Sequence, residues 1–313
     1  MKRNNKHYLI TGGFGFIGSA ISNLLIAKGS KVTIFDNLSR GKRKRVFPRQ
    51  SRLKFINGDI RNIKDVKRSL KNVNVVIHLA YINGTKYFYT KPTDVLDVAV
   101  KGIVNIIDGC KERKIKELYL ASSSEVYQTP KKIPTDENES LKVPNVFNPR
   151  YSYGGGKILT ELMGINYGRK FFKKLIIFRP HNVYGPDMGN EHVVPELINR
   201  FKNLKSKYFK IQGSGNETRS FIHIKDFVQA FDILLKKGKH LEIYNIGTSE
   251  KISIKKLAFL IASLFKKKIK LQTSNLFEGS TKNRLPNIKK IRTLGFKQKI
   301  KLKKGLENLI LNK

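Results

Sequence analysis

The sequence predicts an α/β fold: a doubly wound parallel sheet with a smaller C-terminal lobe. Two observations carry the sheet and a third carries the lobe. Up to about residue 179, short apolar runs alternate with amphipathic helical stretches, the pattern of parallel βαβ units. The first run ends in glycines spaced G-x-x-G-x-x-G, at Gly12, Gly15 and Gly18. From about residue 180 to 220, proline and glycine thicken and the regular alternation is lost. Taken in order, strands are expected at 7–11, 31–35, 53–56, 74–79, 117–122 and 174–179, each an apolar run of strand length. Helices are expected at about 16–28, 63–71, 93–113 and 153–172, where apolar residues recur at helical spacing.

The glycine turn explains what the sheet is for. Gly12 permits a tight turn after the strand Tyr8-Leu9-Ile10-Thr11. Gly15 lets backbone approach a pyrophosphate, and Gly18 lets the next helix sit close to the sheet. That helix opens at Phe16 and Ile17, with free N–H groups and a positive dipole end. Asp36 closes the next apolar run, where ribose hydroxyls of a dinucleotide belong. The site is thus of Rossmann type. Asp59 and Ile60 follow the third strand and are expected at the adenine, while Ala80 and Tyr81 follow the fourth and are expected along the cofactor. His78, inside that apolar fourth strand, reads as a core histidine. The Asp36 carboxylate repels a 2′-phosphate, so NAD is expected over NADP, and the basic loop from Arg40 to Arg45 reads as solvated surface. The NAD-binding domain is placed at residues 1–178. A mainly substrate-binding lobe is placed at 179–313, with the chain returning to the sheet around 221–247.

Composition sets limits. The 313 residues suffice for a full core, and 40% of them are hydrophobic. No apolar run of about 18 residues exists to span a membrane. Met1-Lys2-Arg3-Asn4-Asn5 runs into a strand without the apolar region of a signal peptide, so a cytoplasmic location is expected. The single cysteine, Cys110, excludes an internal disulfide framework and a cysteine-rich zinc cluster, and no metal site is expected. The net charge of +40 comes mostly from lysines spread along the chain rather than gathered on one element. That is the pattern of a solvated surface, with only non-specific attraction to nucleic acid.

Catalytic chemistry is suggested by two stretches. Leu118 to Ala121 runs into Ser122-Ser123-Ser124-Glu125-Val126-Tyr127, a strand with a hydroxyl-rich end. Tyr153 and Lys157, four apart, share one helix face. An ammonium near a phenol lowers the tyrosine pKa, so Tyr153 can take a proton from an alcohol while hydride leaves for a nicotinamide. Between them, Gly154, Gly155 and Gly156 are costly in a helix, which suggests a close approach by cofactor or substrate.

These residues resemble the extended short-chain dehydrogenase/reductases of the NAD-dependent epimerase/dehydratase group, the nucleotide-sugar enzymes. The resemblance covers nearly the whole chain. Besides the stretches above, it rests on Arg179-Pro180-His181-Asn182-Val183-Tyr184-Gly185-Pro186, Arg219-Ser220-Phe221-Ile222-His223 and Tyr244-Asn245-Ile246-Gly247. It implies that Ser123 is the catalytic hydroxyl, that Tyr153 is the base, and that Lys157 is its partner and holds the nicotinamide ribose. It also implies that Ser124 meets the substrate and that Asn182, Arg219 and Arg284 hold the nucleotide diphosphate or the sugar. Two positions depart from the group: Ala99 stands where many members have asparagine, and Gln128 replaces a glycine.

Which reaction follows C4 oxidation turns on Glu125. Sugar 4,6-dehydratases usually carry Thr-Asp-Glu where this chain has Ser123-Ser124-Glu125. A hydroxyl-Ser-Glu set with Asn148-Pro149-Arg150 and Arg284 is similar to UDP-glucuronate decarboxylases. Many 4-epimerases carry a small residue at the Glu125 position. Glu125 is counted among the catalytic candidates, with a hydrogen-bonding role toward substrate as the other possibility. The ranking places a 4-epimerase of the UDP-glucose 4-epimerase type first, with dehydratase and decarboxylase as alternatives. A non-catalytic RNA-binding protein on the same fold is the alternative of another class, suggested by the charge. The resemblance further implies a homodimer through helices 93–113 and 153–172.

Overall fold

The structure, a computed structural model, describes residues 6–47, 51–276 and 278–311. Residues 1–5, on which the expectation about a leader rests, lie outside them. The first half runs β1 (His7–Thr11), α1 (Phe16–Ala27), β2 (Lys31–Asp36), β3 (Leu53–Asn57), α2 (Ile63–Ser69), β4 (Val75–His78), α3 (Thr85–Thr90), α4 (Pro92–Glu112), β5 (Glu117–Ala121), α5 (Tyr151–Lys170) and β6 (Lys174–Pro180). The second half runs β7 (Val183–Tyr184), α6 (Val193–Lys202), β8 (Tyr208–Lys210), β9 (Thr218–Ser220), β10 (Ile222–His223), α7 (Ile224–Lys237), β11 (Glu242–Ile246), β12 (Lys251–Ser253), α8 (Ile254–Leu264), β13 (Lys270–Gln272), α9 (Lys289–Thr293) and α10 (Leu302–Leu311).

Seven parallel strands form one sheet in the order β11-β6-β5-β4-β1-β2-β3. From β1 the chain builds outward through β2 and β3, then crosses back to β4 and builds the other way. Thr11 at the end of β1 pairs with Phe35 on one side and His78 on the other. The reversal point between β1 and β4 is where such sheets bind ligands, beyond the strand C-termini. The strands bury both faces. Tyr8 and Ile10 pack with Ile21 and Leu25 of α1 and Phe227 and Phe231 of α7, whereas Leu9 packs with Val66 of α2 and Ile103 and Ile107 of α4. The period of two along each strand, set against a helix layer on both sides, makes continuous apolar runs of them.

All six expected strands and all four expected helices form, with ends shifted by a few residues. Pro92 opens α4, where its missing N–H costs nothing. The helix α3, rich in aromatics, has no counterpart among the expected elements. The chain leaves the sheet after β6, and α7 and β11 bring it back, β11 pairing in parallel with β6. Around this return, the second lobe has its own core, in which Phe201 and Phe209 stack 4.0 Å apart against Leu257 and Ile261. Among the described residues its strands pair two by two. Among the described residues no helix is long and apolar enough to cross a membrane.

Candidate active site

A cleft of about 1660 Å³ runs over the sheet's C-terminal edge and under the second lobe. The cradle comes first. Gly12 takes φ +68°, and a Cβ there would lie 2.9 Å from Ala80 Cα. A Cβ on Gly18 would lie 2.2 Å from Gly12 O, so α1 sits on the turn at a distance only glycine allows. Gly15 caps α1 with no side-chain hydrogen bond, which leaves the N–H groups of Phe16, Ile17 and Gly18 free of a side-chain cap. Asp36 ends β2, accepting from Phe14 N at 3.0 Å and Leu38 N at 2.8 Å. Asp59 is held by Arg61, whose N, Nε and Nη2 donate at 2.8–3.0 Å and push the carboxyl below its ordinary range. Ile60 is buried beside Gly102 of α4. Open backbone, a helix N-terminus, an acid at the end of β2 and an apolar wall together fit a dinucleotide.

His78 is buried, hydrogen-bonded through Nδ1 to Thr11 Oγ1 at 2.8 Å, and pushed down to about 3 by burial. The basic loop departs from a purely solvated surface. Arg40 and Arg45 line the cleft: Arg40 ion-pairs with Glu191 at 3.5 Å, stands 5.0 Å over the Tyr87 ring and donates to Asn83 O, and Arg45 donates to Asp187 O. Their guanidinium forks find carbonyls of facing loops, which no run of charge in a sequence announces.

Across the cleft stand the chemistry-bearing residues. Ser123 precedes the 3-10 turn Ser124–Tyr127, accepts from Glu125 N at 3.2 Å and stands beside the Tyr153 phenol, whose pKa it lowers against the push of burial. Tyr153 and Lys157 are buried on α5. Lys157 Nζ donates to Ala121 O at 2.6 Å and stands 5.9 Å from the centre of the Tyr153 ring. The expected lowering of the tyrosine pKa is not what this arrangement produces. Burial pushes the Tyr153 phenol well up, and burial pushes the Lys157 ammonium down to about 7. The ammonium faces a carbonyl, so desolvation outweighs the attraction between the pair.

Two of the three glycines between them have another cause than ligand approach. A Cβ on Gly154 would lie 2.8 Å from Gln128 Nε2 and 3.2 Å from Glu125 O, and one on Gly156 would lie 2.3 Å from Tyr81 Oη. The helix starts at Tyr151, so they lie inside a formed helix packed against its own protein.

Glu125 is engaged rather than free. Its Oε1 accepts from Arg284 Nη1 at 2.7 Å, and its Oε2 lies 3.9 Å from Arg150. Burial raises this carboxyl, but the charges of Arg284, Arg150 and Arg219 outweigh it and hold it down at about 2. Arg219, pushed down to about 10 mainly by burial, donates to Thr218 O and Thr281 O at 2.8 and 2.7 Å. Asn182, at φ +39°, donates to Ser220 O at 2.9 Å, and Ser124 is buried at the cleft wall. Every candidate residue from Gly12 to Arg284 therefore lines one cleft.

Residues 8–247 match the NAD dependent epimerase/dehydratase family. The chain belongs to this family. It is 33% identical over 311 residues, 96% of each chain, to a protein of Methanocaldococcus jannaschii named as a UDP-glucose 4-epimerase. It is 31% identical over 257 residues, 78% of this chain and 59% of the other, to dTDP-D-glucose 4,6-dehydratase of Dictyostelium discoideum. Among solved structures, UDP-N-acetylglucosamine 4-epimerase from Methanobrevibacter ruminantium M1, in complex with UDP-N-acetylmuramic acid, superposes with a TM-score of 0.88 at 26% identity, over 98% of this chain and 97% of that one. The names span more than one reaction, so they place an NAD-dependent enzyme in its family without separating epimerase from dehydratase.

Within the family frame, the cleft adds residues that pattern reasoning left out. Phe88 of α3 stacks on the Tyr153 ring at 4.7 Å; Arg150, noted in the sequence only as part of Asn148-Pro149-Arg150, reaches Glu125 from the start of α5. The aromatic run Tyr87-Phe88-Tyr89 was the available signal for the first.

Proposed function

We propose that the chain is a nucleotide-sugar 4-epimerase that uses NAD and works through a 4-keto sugar. The observation that supports it most is the state of Glu125. Water elimination needs a free acid and base beside the reacting carbons. Here Glu125 is ion-paired and held at about 2, and Ser124 stands where an aspartate would serve. What is left at the reacting corner is Ser123, Tyr153 and Lys157, enough to oxidise an alcohol and reduce the ketone again.

In this reading Tyr153 takes the proton of the C4 hydroxyl while Ser123 holds the same oxygen. NAD, bound along Gly12, Gly15, Gly18 and Asp36, supplies the hydride acceptor and later the donor. Lys157, 5.9 Å from the ring centre, would in its charged form favour the phenolate against the upward push of burial, and would hold the nicotinamide ribose. Asn182, Arg219 and Arg284 bind the diphosphate and sugar, guanidinium forks suiting phosphate. Tyr153 returns its proton after the keto sugar has turned its other face, and no atoms are lost. A homodimer belongs to the same proposal, supported by exposed Leu96, Val100 and Val104 along α4 and Leu162 on α5.

A second reading has its own support. Three guanidinium groups face one carboxylate at Glu125, and the surplus positive charge suits a sugar bearing a carboxylate of its own. Oxidation at C4 of a uronate makes a β-keto acid, which loses carbon dioxide without a base.

Proton NMR of the protein with NAD and UDP-glucose, UDP-N-acetylglucosamine, dTDP-glucose, GDP-mannose or UDP-glucuronate tests both. An inverted H4 signal is expected, abolished or cut by about 10²–10⁴-fold in Tyr153→Phe. A new C6 methyl beside a 4-keto centre overturns the epimerase in favour of a dehydratase, and loss of the uronate carboxyl favours the decarboxylase. No turnover with any sugar, matched by Tyr153→Phe, sinks the catalytic reading.

A further inference from the structure

Tyr81 leaves the end of β4 on backbone pinned to the glycine turn, because the N–H groups of Leu79 and Ala80 both donate to Thr11 Oγ1 at 3.1 Å. Its ring meets the Tyr153 ring edge-on, centres 5.1 Å apart, and Lys157 Nζ lies 3.7 Å from its own centre. Both contacts are attractive: a cation over a π face and a T-shaped aromatic pair. The far end of the side chain is less ordinary. Tyr81 Oη is buried and makes no hydrogen bond among the described residues. A buried hydroxyl without a partner costs free energy, so its place in the core calls for a reason. The slot it fills is made by two small residues. A Cβ on Gly156 of α5 would lie 2.3 Å from Tyr81 Oη and 2.7 Å from the Ala99 Cβ of α4.

We propose that Tyr81 is a positioning residue of the redox centre. Its ring fixes the Lys157 side chain and the Tyr153 ring relative to each other, and Ala99 and Gly156 are the seat of its hydroxyl between α4 and α5. The proposal rests on the assignment of Tyr153 and Lys157 as the redox pair. A lysine stem has four flexible bonds, and here one carbonyl and one aromatic face together select a single arrangement. Removing the face leaves the ammonium on Ala121 O alone and leaves the Tyr153 ring with Phe88 as its stacking partner. The departure at Ala99 and the glycine at 156 then have one common cause, the volume of a phenol.

Four variants of the full chain test this: Tyr81→Leu, Tyr81→Phe, Gly156→Ala, and Gly156→Ala combined with Tyr81→Phe. Turnover is followed by NMR, NAD affinity by calorimetric titration and stability by thermal melting. Tyr81→Leu is expected to lower kcat at least about tenfold, with KM and NAD affinity changed less than about threefold, because small misplacements of reacting groups act on the chemical step. Tyr81→Phe keeps the ring and is expected to keep kcat. Gly156→Ala is expected to lose both kcat and Tm, and the double variant to regain part of each, since the new Cβ then meets Tyr81 Cζ at 3.6 Å, an ordinary contact, while its 2.7 Å approach to Ala99 Cβ remains. The close approach to Ala99 is common to both variants, so the coupling between positions 81 and 156 isolates the hydroxyl. That coupling is readable in Tm without any substrate. Wild-type kcat in Tyr81→Leu, equal losses in the Leu and Phe variants, or additive effects at 81 and 156 overturn the proposal. If Tyr153→Phe is inactive while Tyr81→Leu is normal, Tyr81 alone loses its role; if Tyr153→Phe is itself active, the redox-pair assignment falls.

Discussion

Within one cleft, the cradle around Gly12, Gly15, Gly18 and Asp36 draws its contacts from residues 12–41 and from Leu79 and Ala80 just past β4, whereas the cluster around Glu125 draws its partners from the start of α5 (Arg150), from β9 (Arg219) and from the loop after β13 (Arg284). The cradle is made of backbone. Its charges are helix N–H groups and one acid whose two oxygens are both satisfied by the neighbouring turn. The cluster is made of side chains, three cations around one part-buried anion, brought together by segments up to 159 residues apart. A site of the first kind forms when its local sequence forms. A site of the second kind exists only when the two lobes are both folded against it.

The difference can be broken where each side is weakest. The largest effect is expected at Arg284→Ala. It leaves a part-buried carboxylate whose nearest remaining cation, Arg150, lies 3.9 Å away; breaking a fully buried pair costs about 3–5 kcal/mol, and the loss here is expected toward the lower end of that range. The loss depends on pH with a definite sign. Glu125 is held down at about 2 in the folded protein, against an ordinary value of 4.5. Its contribution is therefore fully present above about 4.5 and disappears as pH falls through about 2. Urea midpoints of wild type and variant should lie far apart at pH 7 and converge toward the acid end; a gap independent of pH would show that Arg284 acts by packing alone.

A smaller but sharper effect is expected in the cradle. Gly18→Ala places a methyl 2.2 Å from Gly12 O, a backbone atom that cannot swing away, and overpacking of this kind costs about 1–3 kcal/mol. Because the strain falls on the phosphate turn, NAD affinity measured by calorimetric titration should drop at least about tenfold. Unchanged affinity would mean that the cofactor does not use this turn. The smallest effect on the fold is expected at Val100→Lys on the exposed stripe of α4, within about 0.5 kcal/mol as for other surface changes. It should nevertheless convert a dimer to a monomer in light scattering. A monomeric wild type would remove the homodimer from the proposal.

Much of this was legible in the chain, and for local reasons. The strand periodicity around Leu9 and Ile10, the spacing of Gly12, Gly15 and Gly18, and Asp36 at the end of β2 are short-range features, and they placed the sheet and the cradle. Tyr153 and Lys157 were paired by helix geometry alone, four residues apart on α5. The glycines at 154 and 156 were equally visible but pointed elsewhere. Their neighbours, Gln128 and Tyr81, come from other segments, so their cause is packing that spacing cannot express. The same holds for Arg40, whose partners Asn83 and Glu191 lie on two different loops.

The sequence by itself determined that the chain makes a doubly wound sheet with a dinucleotide cradle, because alternating apolar runs and a glycine turn act over a few residues. Only the tertiary structure decided how the titratable groups stand. Burial pushes Lys157 down to about 7 and Tyr153 up, and three distant arginines hold Glu125 at about 2, because desolvation and Coulomb interaction depend on which segments meet in space rather than on which follow one another in the chain.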